Sequence, residues 1–76
     1  MVNREFYGGR ILGKLLLGEI ADSFIQRAIL QRRWVGLRSH LEVKWGLRFL
    51  VERGILRSTK LETGGRPKIV YTLNVG

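Results

Sequence analysis

Apolar positions follow a helical spacing through most of the chain, and after Gly54 they alternate with polar ones instead. In the first part, Ile11, Leu12, Leu15 and Leu16 predict a helix over about 10–17, with Gly18 as its stop. Gly8, Gly9 and Gly13 count against it, since a glycine inside a helix is about 1 kcal/mol less favourable than alanine. The residues ahead of Gly8 are open between frayed chain, a short strand and part of a dimer contact. A second helix is predicted over about 23–33, because Ser23-Phe24-Ile25-Gln26 fits a Ser-x-x-Gln capping box. Its apolar stripe is Phe24, Ile25, Ala28 and Ile29, and Arg32 and Arg33 complement the dipole at its C-terminal end. An alternative extends this helix back over Glu19 to Asp22. A third helix is predicted over about 39–53, opened by the capping box Ser39-His40-Leu41-Glu42 and closed by Gly54. The segment Trp34-Val35-Gly36-Leu37-Arg38 then reads as the short glycine-containing turn of a helix-turn-helix. On the third helix Val43, Gly46, Leu47 and Leu50 share the inward face, while Lys44 and Arg48 lie opposite.

Beyond Gly54 the alternation predicts two strands, over about 55–62 and 68–73. Ile55, Arg57, Thr59 and Leu61 share one face of the first; Ile69, Tyr71 and Leu73 share one face of the second. The linker Thr63-Gly64-Gly65-Arg66-Pro67 holds the glycines of a tight reversal. The fold class is therefore α+β: three helices followed by a two-stranded antiparallel β-hairpin, in one domain spanning 1–76. A lone hairpin is marginal in water, so this one must pack on the helices.

Charge changes the picture most. Fourteen Lys and Arg stand against six Asp and Glu in 76 residues, a net charge of +8. Such a balance points to a polyanionic partner, nucleic acid or an anionic membrane surface. Cysteine is absent and histidine occurs once, as His40, so disulfides and thiolate metal sites are excluded and no metal cluster is expected. A chain this short buries a small core, which makes a homodimer the expected source of further stability. The longest apolar stretch, Ile11 to Leu17, contains Lys14 and falls short of the ~20 residues of a membrane span. With no signal-peptide pattern either, the expected location is the cytoplasm, or wherever the nucleic acid is. Ten of the fourteen cations are arginine and Asn plus Gln number four, a bias in the direction of a heat-adapted source. No Ser-His-Asp set, paired-carboxylate site or phosphate loop is present, so no enzyme activity, cofactor or small-molecule ligand is expected.

The run Leu50-Val51-Glu52-Arg53-Gly54-Ile55-Leu56-Arg57, followed by Gly65-Arg66-Pro67 and Tyr71-Thr72-Leu73, resembles the winged helix-turn-helix family of DNA-binding transcription regulators. More narrowly, the chain resembles the short regulators of archaea and of crenarchaeal viruses and plasmids. The resemblance covers about Ile20 to Leu73. It implies a third helix lying in the major groove of double-stranded DNA and a hairpin wing beside it. On that helix Arg48 has the donors to read guanine O6 and N7, and Lys44 reaches guanine or a phosphate. Arg38 and His40 stand where a phosphate meets the helix start, and Ser39 is largely spent on its cap. In the wing, Arg66 at the tip suits the minor groove, while Arg57, Lys60 and Lys68 suit phosphates.

Each assignment has a plainer competitor. Lys44 and Arg48 also fit a solvated helix face, and Lys60 and Lys68 also fit a role in solubility. Trp34 reads as core over the turn. Trp45 is open between core or subunit contact and DNA sugar. Glu42 belongs to the capping box, and Glu52 suits a surface ion pair. As a whole, a winged-helix protein-interaction module that does not read DNA is the competing function. RNA binding is disfavoured by the lack of an aromatic stacking sheet, and membrane binding by cations spread over helix, turn and hairpin.

Overall fold

The computed structural model describes residues 3–74, apart from the side chain of Thr63. In chain order the elements are α1 (Arg4–Leu16), β1 (Ser23–Phe24), α2 (Gln26–Arg32), α3 (His40–Glu52), β2 (Leu56–Thr63) and β3 (Arg66–Leu73). Three helices stand with one antiparallel sheet of order β1-β3-β2, an arrangement compatible with a winged helix. The sheet thus has three strands, not the two that alternation alone predicts.

The first helix begins well before residue 10. Asn3 caps it by accepting the Phe6 N–H at 3.0 Å, and Glu5 sits in the first turn where the dipole favours an anion. The glycines that argue against a helix here partly explain why it forms. A Cβ on Gly8 would lie 2.6 Å from Phe49 Cδ2, and one on Gly46 would lie 2.9 Å from the Tyr7 carbonyl carbon. Gly8 and Gly46 thus let α1 and α3 cross closely, and Ile11, Val43, Leu47 and Leu50 close over that crossing as fully buried side chains. The packing gained offsets the propensity lost, a trade no local pattern contains.

A second correction concerns Ser23. Its Oγ lies 3.1 Å from Thr72 Oγ1 rather than capping a helix, and Ser23 and Phe24 form β1, paired to Thr72 and Tyr71 of β3. Phe24 is buried and its ring stacks on Tyr71, with centroids 6.0 Å apart. The open edge of β3 outcompetes the local box, because it satisfies more of the Ser23–Phe24 backbone and buries an aromatic ring. Helix α2 therefore starts at Gln26, with Ile25 in the cap position and no side-chain bond there, and Glu19 to Asp22 lie outside it. It ends at Arg32, followed by Arg33 in the left-handed region at φ 51°.

The third helix matches its local signals. Ser39 Oγ accepts the Glu42 N–H at 3.2 Å, and Glu42 Oε1 accepts the Ser39 N–H at 3.1 Å. At the other end Gly54 takes φ 77°, its N–H donating to Val51 O and the Ile55 N–H donating to Leu50 O. That pair of bonds is the Schellman closure, which needs a residue free to adopt positive φ.

The hairpin is tighter than the five-residue linker implies. Thr63 pairs with Arg66, so Gly64 and Gly65 alone make the turn and β3 starts at Arg66. Pro67 falls opposite Glu62, one pair in from the closing pair. In an antiparallel ladder that is a non-hydrogen-bonded pair, so the N–H that proline lacks would have pointed to the open edge. The fully buried apolar residues end at Leu56 among the described residues, leaving the outer hairpin exposed.

Candidate nucleic-acid interface

Three basic or partly basic side chains, His40, Lys44 and Arg48, follow one another at four-residue intervals along α3, and all three are exposed. Successive steps of four residues drift by about 40° on a helix, so the three form one shallow diagonal line. Lys44 stands without a partner among the described residues. Arg48 does not: its Nε donates to Glu52 Oε1 at 3.3 Å, and its guanidinium lies 5.7 Å from the Trp45 ring centre. Both members of that ion pair are more than half exposed or close to it, at 58% and 50%, which places the pair among the weak ones.

Trp45 belongs more to the helix crossing than to the outer face. It is half-buried, the Arg4 guanidinium of α1 covers its ring at 4.5 Å, and its indole Nε1 is enclosed without a hydrogen-bond partner. Trp34 packs partly buried against the core, with Lys14 5.0 Å and Arg32 5.8 Å from its ring centre. Ser39 commits both its hydroxyl and its N–H to Glu42, whose carboxylate occupies the start of α3. That carboxylate already supplies the negative charge that the helix dipole attracts, so the start of α3 is a poorer phosphate site than an uncapped helix end. Arg38, exposed just ahead of it, is left to make such a contact through its side chain.

Two hollows flank the line. On one side a cleft of about 490 Å³ opens between α2 and the start of α3, lined by Gln26, Arg27, Leu30, Gln31, Arg33 and His40. It contains two arginines and no carboxylate among its lining residues. Arg27, Gln31 and Arg33 are absent from the residues that sequence reasoning selects. The spacing of Arg27 and Gln31 marks one helical face, but only the packing of α2 on α3 shows that this face adjoins His40. On the other side a groove of about 330 Å³ separates α3 from the hairpin, bordered by Lys44, Arg48, Val51, Glu52, Ser58, Ile69 and Tyr71. Burial pushes the Tyr71 phenol above its ordinary pKa of 10.0, consistent with an apolar floor to this groove.

The register divides the hairpin's cations. Lys60 pairs with Ile69 and shares the face of Leu56, Ser58 and Tyr71, which is turned towards α3. Arg57 pairs with Thr72 and Lys68 with Leu61, so both stand on the opposite face, as does Arg66. Arg38, His40, Lys44 and Arg48 are thus brought together on or beside α3, whereas the four wing residues are not brought to one surface.

Among the described residues no helix is long and apolar enough to cross a membrane, and no cluster of His, Cys, Asp and Glu is arranged to hold a metal ion. Comparison with protein-family models, with curated proteins and with solved structures finds no match to this chain. What stands is the architecture: three helices, a three-stranded antiparallel sheet, and a basic line on α3 between two hollows.

Proposed function

We propose that this chain is a transcription regulator that binds double-stranded DNA, with α3 in the major groove and the β2–β3 wing over the adjacent minor groove and backbone. The observation that carries the reading is the exposed line His40, Lys44 and Arg48 on a firmly capped helix, flanked by the basic α2 cleft. Affinity comes mainly from counterion release as Lys and Arg neutralise phosphates, and it therefore weakens steeply with salt. Arg27, Arg33 and Arg38 supply such contacts on the α2 side. A wing that enters the minor groove tip-first turns one face towards each flanking backbone. Lys60 on one face and Arg57 and Lys68 on the other then reach different strands.

Specificity rests on Arg48 and Lys44. Releasing Arg48 from an exposed pair with Glu52 costs about 0–1 kcal/mol, whereas a bidentate contact to guanine discriminates by about 1–3 kcal/mol. The exchange is favourable, so the pair with Glu52 does not stand in the way of a guanine contact. The test is fluorescence anisotropy with a selected duplex and a scrambled one across a salt series. Arg48→Ala is expected to erase most of the preference between them, while Lys60→Ala lowers affinity for both and reduces the salt slope by about one. Equal binding of the two duplexes by the unaltered chain at every salt concentration would refute sequence reading. No binding to either would favour a protein-interaction module instead.

A further inference from the structure

The outer side of α1 is unlike the rest of this surface. All three cations of that helix are engaged laterally or inward: Arg4 over Trp45, Arg10 over Phe6, and Lys14 with Glu19 and the Trp34 ring. What remains outward is a strip of Glu5, Gly9, Gly13, Leu16 and Leu17, with no cation on a chain of net charge +8. Leu16 and Leu17 are the most exposed large apolar residues described, at 72% and 75%, and Phe6 borders the same strip at 49%. Gly9 and Gly13 have nothing within 4 Å of where a Cβ would stand. Each forfeits about 1 kcal/mol of helix stability relative to alanine without the internal contact that explains Gly8.

From this we infer that the outer face of α1 is a homodimer surface, two copies crossing antiparallel about a two-fold axis between Gly9 and Gly13. A two-fold contact needs a surface complementary to itself, and this strip has that property. With the axis near residue 11, Gly9 of one copy falls opposite Gly13 of the other and Leu16 opposite Phe6, so the bare glycines let the two helices approach closely while the apolar side chains meet on either side of the axis. The second copy is the occupant that the charge favours. Two chains of +8 repel, and this strip lowers that cost, because it carries Glu5 and no cation, the nearest being Arg10 over the Phe6 ring at its border. The arrangement leaves His40, Lys44 and Arg48 uncovered on both copies, because α1 packs on the opposite side of α3. One helix face falls below the ~800 Å² per partner of a standard interface, so the dimer is weak and concentration-dependent.

The inference stands apart from the DNA reading and has its own signature. Raising the salt screens the repulsion between copies, so the dimer tightens under conditions that weaken a phosphate contact. Sedimentation equilibrium of the full chain, without DNA, at concentrations up to about 1 mM and at low and high salt, reads this directly. The unaltered chain is expected to dimerise, more tightly at high salt. Leu16→Glu and Gly13→Leu are each expected to raise the dissociation constant at least about tenfold, with circular dichroism unchanged. Leu16→Glu lowers the net positive charge but faces Glu5 of the other copy, so Gly13→Leu, which adds no charge, is the variant that separates lost fit from repulsion. A monomer at every concentration and salt, a dimer that loosens in salt, or a dimer that survives both substitutions overturns the inference.

Discussion

Two pairs of glycines serve opposite ends of this molecule by different physics. At the helix crossing, Gly8 and Gly46 are needed for space: the position of a Cβ on Gly46 is already occupied, 2.8 Å from Ile11 Cδ1 and 3.0 Å from the Tyr7 carbonyl oxygen. At the wing turn the space around Gly64 is open, and what glycine supplies is a backbone at φ 55°. Around the first pair lie fully buried side chains; around the second every described residue is exposed. Stability is thus concentrated where steric fit is strict, and the wing turn, where it is loose, adds little to it.

Four substitutions put this contrast to the test. Gly46→Leu forces side chain into the Tyr7 backbone and is expected to destabilise the fold by about 3 kcal/mol or more in urea titration. A loss below about 1 kcal/mol would show that the crossing has slack. Ser39→Ala removes one half of the α3 capping box and should cost about 1 kcal/mol, read the same way. Gly9→Ala, in the same helix as Gly8 but facing open space, should instead raise stability by up to about 1 kcal/mol when measured on dilute protein. If it destabilised, the outer side of α1 would be packed against something within the chain. Lys60→Ala on the exposed wing is expected to leave stability within about 0.5 kcal/mol while reducing DNA affinity.

Tyr71 joins the two regions, and its burial gives the comparison a pH axis. The folded chain holds the phenol proton more tightly than the unfolded chain, whose tyrosine keeps the ordinary pKa of 10.0. Its contribution is fully present below that value, and stability falls as the pH rises through 10 towards the higher folded pKa. Tyr71→Phe should flatten this alkaline loss in a series of thermal melts.

How much the sequence reveals follows how local each cause is. Helix α3 is legible at both ends, because Ser39 meets Glu42 three residues on and Gly54 closes the last turn. The start of α1 and the whole of β1 are not. Gly8 is justified by Phe49 on another helix, and Ser23 by Thr72, 49 positions away. Ser23-x-x-Gln26 matches a capping box as well as Ser39-x-x-Glu42 does, so the pattern cannot tell a cap from a strand that another strand recruits. The candidate site divides likewise. The exposure of Lys44 and Arg48 follows from helical angle alone. The cleft formed by Arg27, Gln31 and Arg33 beside His40 requires the packing of α2 against α3.

Strand β1 is only two residues long, yet it sets where the wing is held. Paired through Phe24 to Tyr71, it clamps β3 at its inner end, while the turn at Gly64 lies about 20 Å further out at strand rise. The hairpin is therefore a lever with its fulcrum at the Phe24–Tyr71 stack. By simple geometry a tilt of about 10° there carries the tip by roughly 3–4 Å over that length. Because no fully buried apolar residue is described beyond Leu56 in β2, such a tilt leaves the core's contacts in place. Under the proposed DNA reading, that travel lets Arg66 follow a groove whose position relative to α3 varies from one duplex to the next.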